Sequence, residues 1–445
     1  MKPVVAIVGR ANVGKSTLFN RLAGESVAVV EDLPGTTRDR VFTDVMIEGR
    51  EVTLVDTGGL DLRPASSLAR KVKSQAEAAI AEADVIVFMV DIRDGVISAD
   101  REIADVLRLS SKPLILVANK ADNPKVESQV SDFYQLGIGT PLTISAQHNR
   151  GINSLRQAIV PLLPEALEMP VDMDRPKLAI VGRPNAGKSM LLNAIVGGER
   201  AIVDEAPGTT RDAVDTLFSF HGQELLLIDT AGIRRKGRLS SGVEYYSLIR
   251  ALRAINRCDV ALLVMDATEF VTAQDVHIAG YIKEAGKGII IVVNKWDLVP
   301  EQSQEIYLNE LHKKLKFMTH APVLFVSAKF KRGVDEVMRK ALEAWSEGQK
   351  RLSDPVVDKF IRQAVVDHTR PRKGFKQLEV KRAYQSGIRP PSFTLVVNDP
   401  SLVHFSYERY LENKLRHTFG FSGTSVRFLF KRAPSRKLKK VGYHK

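Results

Sequence analysis

Gly9-Arg10-Ala11-Asn12-Val13-Gly14-Lys15-Ser16 returns 173 residues later as Gly182-Arg183-Pro184-Asn185-Ala186-Gly187-Lys188-Ser189. Each copy follows a short apolar run and opens a segment that reads as helical. The spacing G-x-x-x-x-G-K-[ST] at such a turn points backbone N–H groups inward on phosphate oxygens. Glycine is needed because only a residue without a Cβ lets the chain wrap that closely. Lys15 and Lys188 are expected at the β- and γ-phosphates, and the hydroxyls of Ser16 and Ser189 on Mg²⁺.

The repetition extends outward from these loops. Pro34-Gly35-Thr36-Thr37-Arg38-Asp39 returns as Pro207-Gly208-Thr209-Thr210-Arg211-Asp212, where a threonine hydroxyl can complete the metal shell. Thr37 and Thr210 are favoured, with Thr36 and Thr209 as the alternative. Asp56-Thr57-Gly58-Gly59-Leu60 returns as Asp229-Thr230-Ala231-Gly232-Ile233. Asp56 and Asp229 are expected to hold the metal through its water shell, and the N–H groups of Gly59 and Gly232 to sense the γ-phosphate. Many GTPases place a water-orienting glutamine just after this motif. Here Leu60 and Ile233 stand there, which implies slow intrinsic turnover or another electrophile. Asn12 and Asn185 could supply that charge by holding a monovalent cation against the phosphates, or could simply close the loop as Asx-turns.

Base choice rests on Asn119-Lys120-Ala121-Asp122 and Asn294-Lys295-Trp296-Asp297. The carboxylate of Asp122 or Asp297 can accept from guanine N1–H and the exocyclic amine, whereas adenine offers a bare acceptor and no amine there. Two charge-assisted bonds at roughly 1.5–3 kcal/mol each favour GTP over ATP. Lys120 and Lys295 can lay their stems over the base. Ser145-Ala146 and Ser327-Ala328 can bring a backbone N–H to its carbonyl.

Near-continuous apolar runs at residues 4–8, 52–55, 85–90 and 114–117 read as buried strands, answered by 178–181, 225–228, 260–265 and 289–293. Helical segments such as 66–83 lie between them. The expected fold class is α/β: two P-loop domains, each a mostly parallel sheet with helices on both faces, then a small α+β domain. The expected boundaries are 1–163 and 177–349 for the repeats, 164–176 for an acidic, proline-containing linker, 351–436 for the third domain and 437–445 for a basic tail. The lone Cys258 sits in an apolar run and reads as a core residue. No stretch is long and apolar enough to span a bilayer, and the N-terminal run reads as a strand, so a cytoplasmic address is expected.

The formal net charge is +13. Residues 351–445 hold 21 Lys and Arg against 7 Asp and Glu, a surplus of 14, and the rest of the chain nearly balances. That concentration is the footprint of a polyanion-binding module. The basic clusters at 370–376 and 431–440 are its candidate phosphate contacts.

With four motif types in duplicate and a basic third domain, the chain resembles the Der or EngA family of tandem GTPases, bacterial ribosome assembly factors. The two G-R-x-N-x-G-K-S loops, the two P-G-T-T-R-D segments and Asp229-Thr230-Ala231-Gly232-Ile233-Arg234-Arg235-Lys236 carry the resemblance. It implies two GTP/GDP sites with Mg²⁺, dependence on K⁺ through Asn12 and Asn185, and maturation of the large (50S) ribosomal subunit through ribosomal RNA. The first domain would steer the conformation of the other two, and a monomer with no membrane role is expected. The hydrophobic replacement of the catalytic glutamine in that family matches Leu60 and Ile233. Met190, standing where the first copy has Thr17, leaves affinity at the second site open.

The third domain resembles the family's KH-like domain, with a helix, strands at 378–383 and 393–397, a helix at 407–419 and a last strand at 426–430. A KH domain clamps RNA with G-x-x-G between two helices. Gly420-Phe421-Ser422-Gly423 has that spelling but precedes the last strand, and reads as a helix stop followed by a turn. Two other functions fit the motifs less well. A tRNA-modification GTPase would want a terminal cysteine or a folate-type domain, and a nucleotide-sensing RNA adaptor would leave hydrolysis incidental.

Overall fold

The computed structural model describes residues 2–24, 42–56, 83–164, 175–197, 203–205, 215–230, 243–300, 304–367, 371–373 and 376–433. Outside them lie both P-G-T-T-R-D segments with Thr37 and Thr210, residues 57–60 and 231–236, and the expected helix at 66–82. Most of the linker, the basic residues 368–370 and 374–375, and the chain from 434 on are also outside. The chain divides into two compact units, Met1–Met173 with Arg234–Asn256, and Asp174–Ile233 with Arg257–Lys445.

In the first unit, β1 (Val4–Val8), β2 (Phe42–Ile47), β3 (Arg50–Asp56), β4 (Val85–Asp91), β5 (Leu114–Asn119) and β6 (Leu142–Thr143) form one sheet in the order β2-β3-β1-β4-β5-β6. Only β2–β3 is antiparallel; the other pairs run parallel. A Glu48-Gly49 turn joins that hairpin with φ of +47° and +80°, the left-handed pair whose twist matches the flanking strands. Helices α1 (Lys15–Ala23), α2 (Ser98–Arg108) and α3 (Ile152–Ile159) cover the sheet. The alternation along β1 explains why its run is wholly apolar. Val4, Ala6 and Val8 pack with Ile103 and Leu107 of α2, while Val5 and Ile7 pack with Leu18 and Phe19 of α1 and Ile159 of α3.

In the second unit the pattern recurs. Strands β7 (Lys177–Val181), β8 (Val203–Glu205), β9 (Thr216–Phe220), β10 (Gln223–Ile228), β11 (Val260–Asp266), β12 (Gly288–Asn294) and β13 (Val323–Phe325) take the order β13-β12-β11-β7-β10-β9-β8. Among the described residues the order from β9 to β13 is that of the first sheet, with β8 beyond it at the edge, and His221-Gly222 repeats the left-handed turn. The helices along this stretch of chain are α4 (Lys188–Val196), α5 (Val243–Arg257), α6 (Ala273–Glu284), α7 (Gln304–Lys314) and α8 (Val334–Gln349). Helix α5 up to Asn256 groups with the first unit. Cys258 is buried, and burial pushes its thiol up to about 12. It is therefore protonated at neutral pH and inert, as a core cysteine should be.

The rest of the second unit is α+β. Helix α9 (Asp354–Asp367), the short hairpin of β14 (Arg372–Lys373) and β15 (Lys376–Gln377), β16 (Val380–Gly387), β17 (Ser392–Val397), α10 (Phe405–Phe419) and β18 (Arg427–Arg432) follow in order. The sheet runs β16-β17-β18 with β17–β18 parallel. Ile361, Leu411 and Leu415 of the two helices pack on Phe393, Leu395 and Phe428. The expected element order holds, but β16 starts two residues later than the apolar run and continues to Gly387, because Ala383 and Gln385 are its inward positions.

Helix α10 stops at Gly420 with φ +90°, as its G-x-x-G spelling suggested. That segment then packs on the second P-loop domain. Ile289 N donates to Gly423 O at 2.7 Å, Gly423 N to His320 O at 3.0 Å, and Phe421 N to Glu347 Oε2 at 2.5 Å. A G-x-x-G used this way is a joint within the protein rather than an RNA clamp. Among the described residues no helix is long and apolar enough to cross a membrane.

Candidate nucleotide sites

Both phosphate loops leave the carboxyl end of the central strand, β1 or β7, where flanking loops converge on a crevice. Gly14 caps α1 with φ +100°, and a Cβ there would lie 2.3 Å from Asn119 Nδ2. Gly187 caps α4 with φ +94°, and its Cβ would lie 2.1 Å from Asn294 Nδ2. Conformation and close approach both exclude any larger residue. Lys15 Nζ donates to the carbonyls of Gly9 (2.8 Å) and Arg10 (2.6 Å). Lys188 Nζ does the same to Gly182 (2.8 Å) and Arg183 (2.6 Å).

Ser16 Oγ donates to Asp56 Oδ2 at 2.6 Å, so the hydroxyl and the carboxylate read as ligands of one metal are in contact. Two hard oxygen donors fit Mg²⁺, which usually takes few protein ligands and fills its shell with water and phosphate. Among the described residues no cluster of three or more His, Cys, Asp or Glu side chains is arranged for a metal. At the second site β10 ends at Ile228, and Asp229 lies beyond it at φ +56° with its N–H bonded to Asp215 Oδ1 (3.0 Å). Thr230 and Thr216 share a hydroxyl hydrogen bond of 2.7 Å.

Asn119 ties the phosphate loop to the base loops. Its Nδ2 donates to Val13 O at 2.8 Å and its Oδ1 accepts from Ala146 N at 3.0 Å. Asn294 bonds Ala186 O and Ala328 N in the same way, both at 3.0 Å. Lys120 and Lys295 have left-handed φ, +69° and +64°. Lys120 Nζ reaches Asn12 O (2.8 Å) and Asp91 Oδ2 (2.5 Å), and Lys295 Nζ reaches Asp266 Oδ2 (2.5 Å). Ser145 Oγ donates to Asp122 Oδ1, and Ser327 Oγ to Asp297 Oδ1, each at 2.6 Å. The Ser145 bond, with Arg93 and His148 nearby, holds the Asp122 carboxyl below its ordinary range despite partial burial. A cavity of about 340 Å³ opens among Gly14, Arg93, Lys120, Asp122 and Ser145, beside the phosphate loop.

Arg10 and Arg183 contribute backbone to the loops, but their side chains turn away. Arg10 pairs with Asp94 (2.5 Å) and approaches buried Asp100 (3.5 Å), and Arg183 pairs with Glu269 (2.5 Å) and approaches buried Asp275 (3.8 Å). Burial pushes both buried carboxyls up. Asn12 and Asn185 sit at φ +67° and +64° with exposed side chains. Asn tolerates that conformation, so it is compatible with loop closure and with cation binding alike.

Sequence reasoning passed over Asp91, Asp266 and Arg93. The two aspartates end β4 and β11 and recur at the 175-residue spacing of the N-K-x-D motifs, a signal that could have found them. Arg93 has no repeat partner and left no such trace.

Comparison with known proteins agrees over nearly the whole chain. A family model described as a 50S ribosome-binding GTPase matches residues 4–120 and 177–295. A second, described as the C-terminal KH-domain-like part of EngA bacterial GTPase enzymes, matches 351–431. "GTPase Der" of Moorella thermoacetica is 48% identical over 98% of this chain and 100% of its own length. "GTPase Der" of Pelotomaculum thermopropionicum is 47% identical over 97% of this chain and 98% of its own. That of Listeria monocytogenes is 44% identical over 96% and 98%.

Proposed function

The chain belongs to the Der (EngA) family of tandem GTPases, and from that premise we propose that it binds and hydrolyses GTP at two sites to control its docking on the large ribosomal subunit or its precursor. The observation that carries this reading is the doubled coupling through Asn119 and Asn294. Each joins the loop that would cradle phosphates to the loop that would read the base.

Backbone N–H groups of residues 11–16 and 185–189 receive the phosphates, and Lys15 and Lys188 neutralise the β- and γ-oxygens. To do so each lysine gives up or shares its bonds to the two loop carbonyls it now holds. Asp122 and Asp297 accept the two guanine donors, with Ser145 and Ser327 fixing the carboxylates in place. Mg²⁺, when bound through Ser16, Thr37 and Asp56 or Ser189, Thr210 and Asp229, supplies charge neutralisation at the β- and γ-phosphates. Water attacks the γ-phosphorus, the bond to the β-γ bridging oxygen breaks, and GDP and phosphate leave. Gly59 and Gly232 sense the loss of the γ-phosphate through their N–H groups.

With Leu60 and Ile233 in place of a glutamine, Asn12 and Asn185 would hold K⁺, which would supply the electrophile when bound. The domains are 1–163, 177–349 and 351–436, and the basic surplus of residues 351–445 contacts ribosomal RNA. The protein acts as a monomer in the cytoplasm, where that partner is found.

GTP turnover of the full chain in K⁺ against Na⁺, with and without large subunits, tests this reading. K⁺ should raise the rate, and large subunits should raise it further. Asn12→Ala with Asn185→Ala should erase the K⁺ advantage. Equal rates in the two salts would remove the cation role, and failure to co-sediment with large subunits in any nucleotide state would remove the partner.

A further inference from the structure

The two sites repeat each other closely until the turn after β4 and its counterpart β11. Asp91-Ile92-Arg93 in the first answers Asp266-Ala267-Thr268 in the second. The backbone there is the same. Arg93 N donates to Asp91 Oδ1, and Thr268 N to Asp266 Oδ1, both at 3.0 Å. The side chains then part. Thr268 Oγ1 folds back on Asp266 Oδ1 at 2.7 Å, too short to reach anything else in the site. Arg93 crosses the cavity beside the phosphate loop, and its guanidinium Nη2 donates to Asp122 Oδ2.

Asp122 therefore has both carboxylate oxygens engaged, Oδ1 by Ser145 and Oδ2 by Arg93, with His148 Nε2 4.0 Å from Oδ1. Among the described residues, the Asp297 carboxylate has a partner only in Ser327. A guanine donates two hydrogens to this carboxylate, so at the first site Arg93 stands where the base must bond. Resting on the guanine-site reading above, we infer that Arg93 is a built-in competitor for the base: it occupies Asp122 when no nucleotide is bound and must leave before GDP or GTP is recognised. Among the described residues the second site has no such competitor, and the two sites of one chain consequently differ in guanine affinity through this side chain.

The Arg93 side chain is 56% exposed, so the pair it makes is a weak, screened one. Releasing it should cost the first site about 1.5- to 5-fold in affinity, the range that measured exposed ion pairs span. The penalty should shrink as salt rises.

The full chain carrying Asp297→Asn isolates the first site, because its second site no longer prefers guanine. In that background Arg93→Thr, which installs the side chain of the second site, should tighten GDP binding by about 1.5- to 5-fold at low salt, and the difference should close at high salt. In a chain carrying Asp122→Asn, xanthosine diphosphate reports the first site, and there Arg93→Thr should change nothing, since the carboxylate it competes for is gone. Thr268→Arg in the same chain should weaken GDP at the second site. Unchanged or weaker GDP binding on Arg93→Thr, or a gain that persists without the Asp122 charge, would overturn the competitor role and leave the guanine sites standing. No GDP binding by the Asp297→Asn parent would instead remove the first guanine site itself.

Discussion

Set side by side, the two P-loop domains agree where the backbone has to meet a phosphate and differ where side chains meet each other. The glycine cap, the lysine on two carbonyls and the asparagine bridging two loops match to within 0.2 Å in their hydrogen bonds. The carboxylates diverge. Asp56 ends β3, whereas Asp229 lies past the end of β10 in a left-handed conformation, its N–H taken by Asp215. Asp122 is occupied by Arg93, whereas among the described residues Asp297 bonds only its serine. Duplication has thus kept what the polyphosphate dictates and released what only neighbouring side chains dictate.

The hardest test of that likeness is the base carboxylate. Asp122→Asn and Asp297→Asn each remove two charge-assisted bonds, at roughly 1.5–3 kcal/mol apiece, so GTP affinity at the altered site should fall by about 10²–10⁴-fold while xanthosine triphosphate gains. Calorimetric titration of each single variant with both nucleotides reads this directly. A large loss for one and a small loss for the other would break the claim that the two cradles work alike.

Gly14→Ala and Gly187→Ala probe the shared backbone. Each forces a side chain into left-handed φ and against an asparagine amide, and about 1–3 kcal/mol of strain corresponds to roughly 5- to 150-fold weaker nucleotide binding. Matching losses would sharpen the comparison, since the two Cβ clashes, at 2.3 and 2.1 Å, are nearly the same.

A smaller effect separates the units by pH. His320, in the second unit at the joint with the KH-like domain, is held well below its ordinary value by burial, with Arg416 and Lys283 adding to the shift. Among the described residues its Nε2 finds no partner, and Glu408, Glu412 and Arg427 share its cavity of about 220 Å³. The unfolded imidazole takes a proton near pH 6.5 and the folded one does not, so folding stability is lost as pH falls below 6.5. Thermal unfolding between pH 7.5 and 5.5 should show the second unit losing about 1 kcal/mol from this group, and His320→Gln should flatten the slope. An unchanged slope would mean that the joint does not keep the ring neutral. The few-fold gain from Arg93→Thr is the smallest effect and the most specific to one site.

The sheet strands were legible because each is buried on both faces and so reads as an unbroken apolar run, as in Val4–Val8 and Val260–Asp266. The antiparallel strands β2 and β9 were not, because one half of each carries polar residues that alternate with apolar ones only weakly. In the third domain the element order could be read, yet the start of β16 could not: the inward residue Gln385 is polar and bonded to the chain at Leu352 and Lys350, which no hydrophobic pattern reports.

By itself the sequence determined the two phosphate loops, the guanine motif and the repeat. These demands are local: a left-handed turn needs glycine, a phosphate needs an ammonium, and a guanine edge needs a carboxylate, each within a few residues of chain. Only the tertiary structure decided that Lys120 is shared between Asn12 and Asp91, that Arg93 lies on Asp122, and that Gly423 is spent on the edge of β12. Those pairings join residues 29 to 134 positions apart. Their partners are chosen by strand order and packing, which bring together side chains that no spacing along the chain can connect.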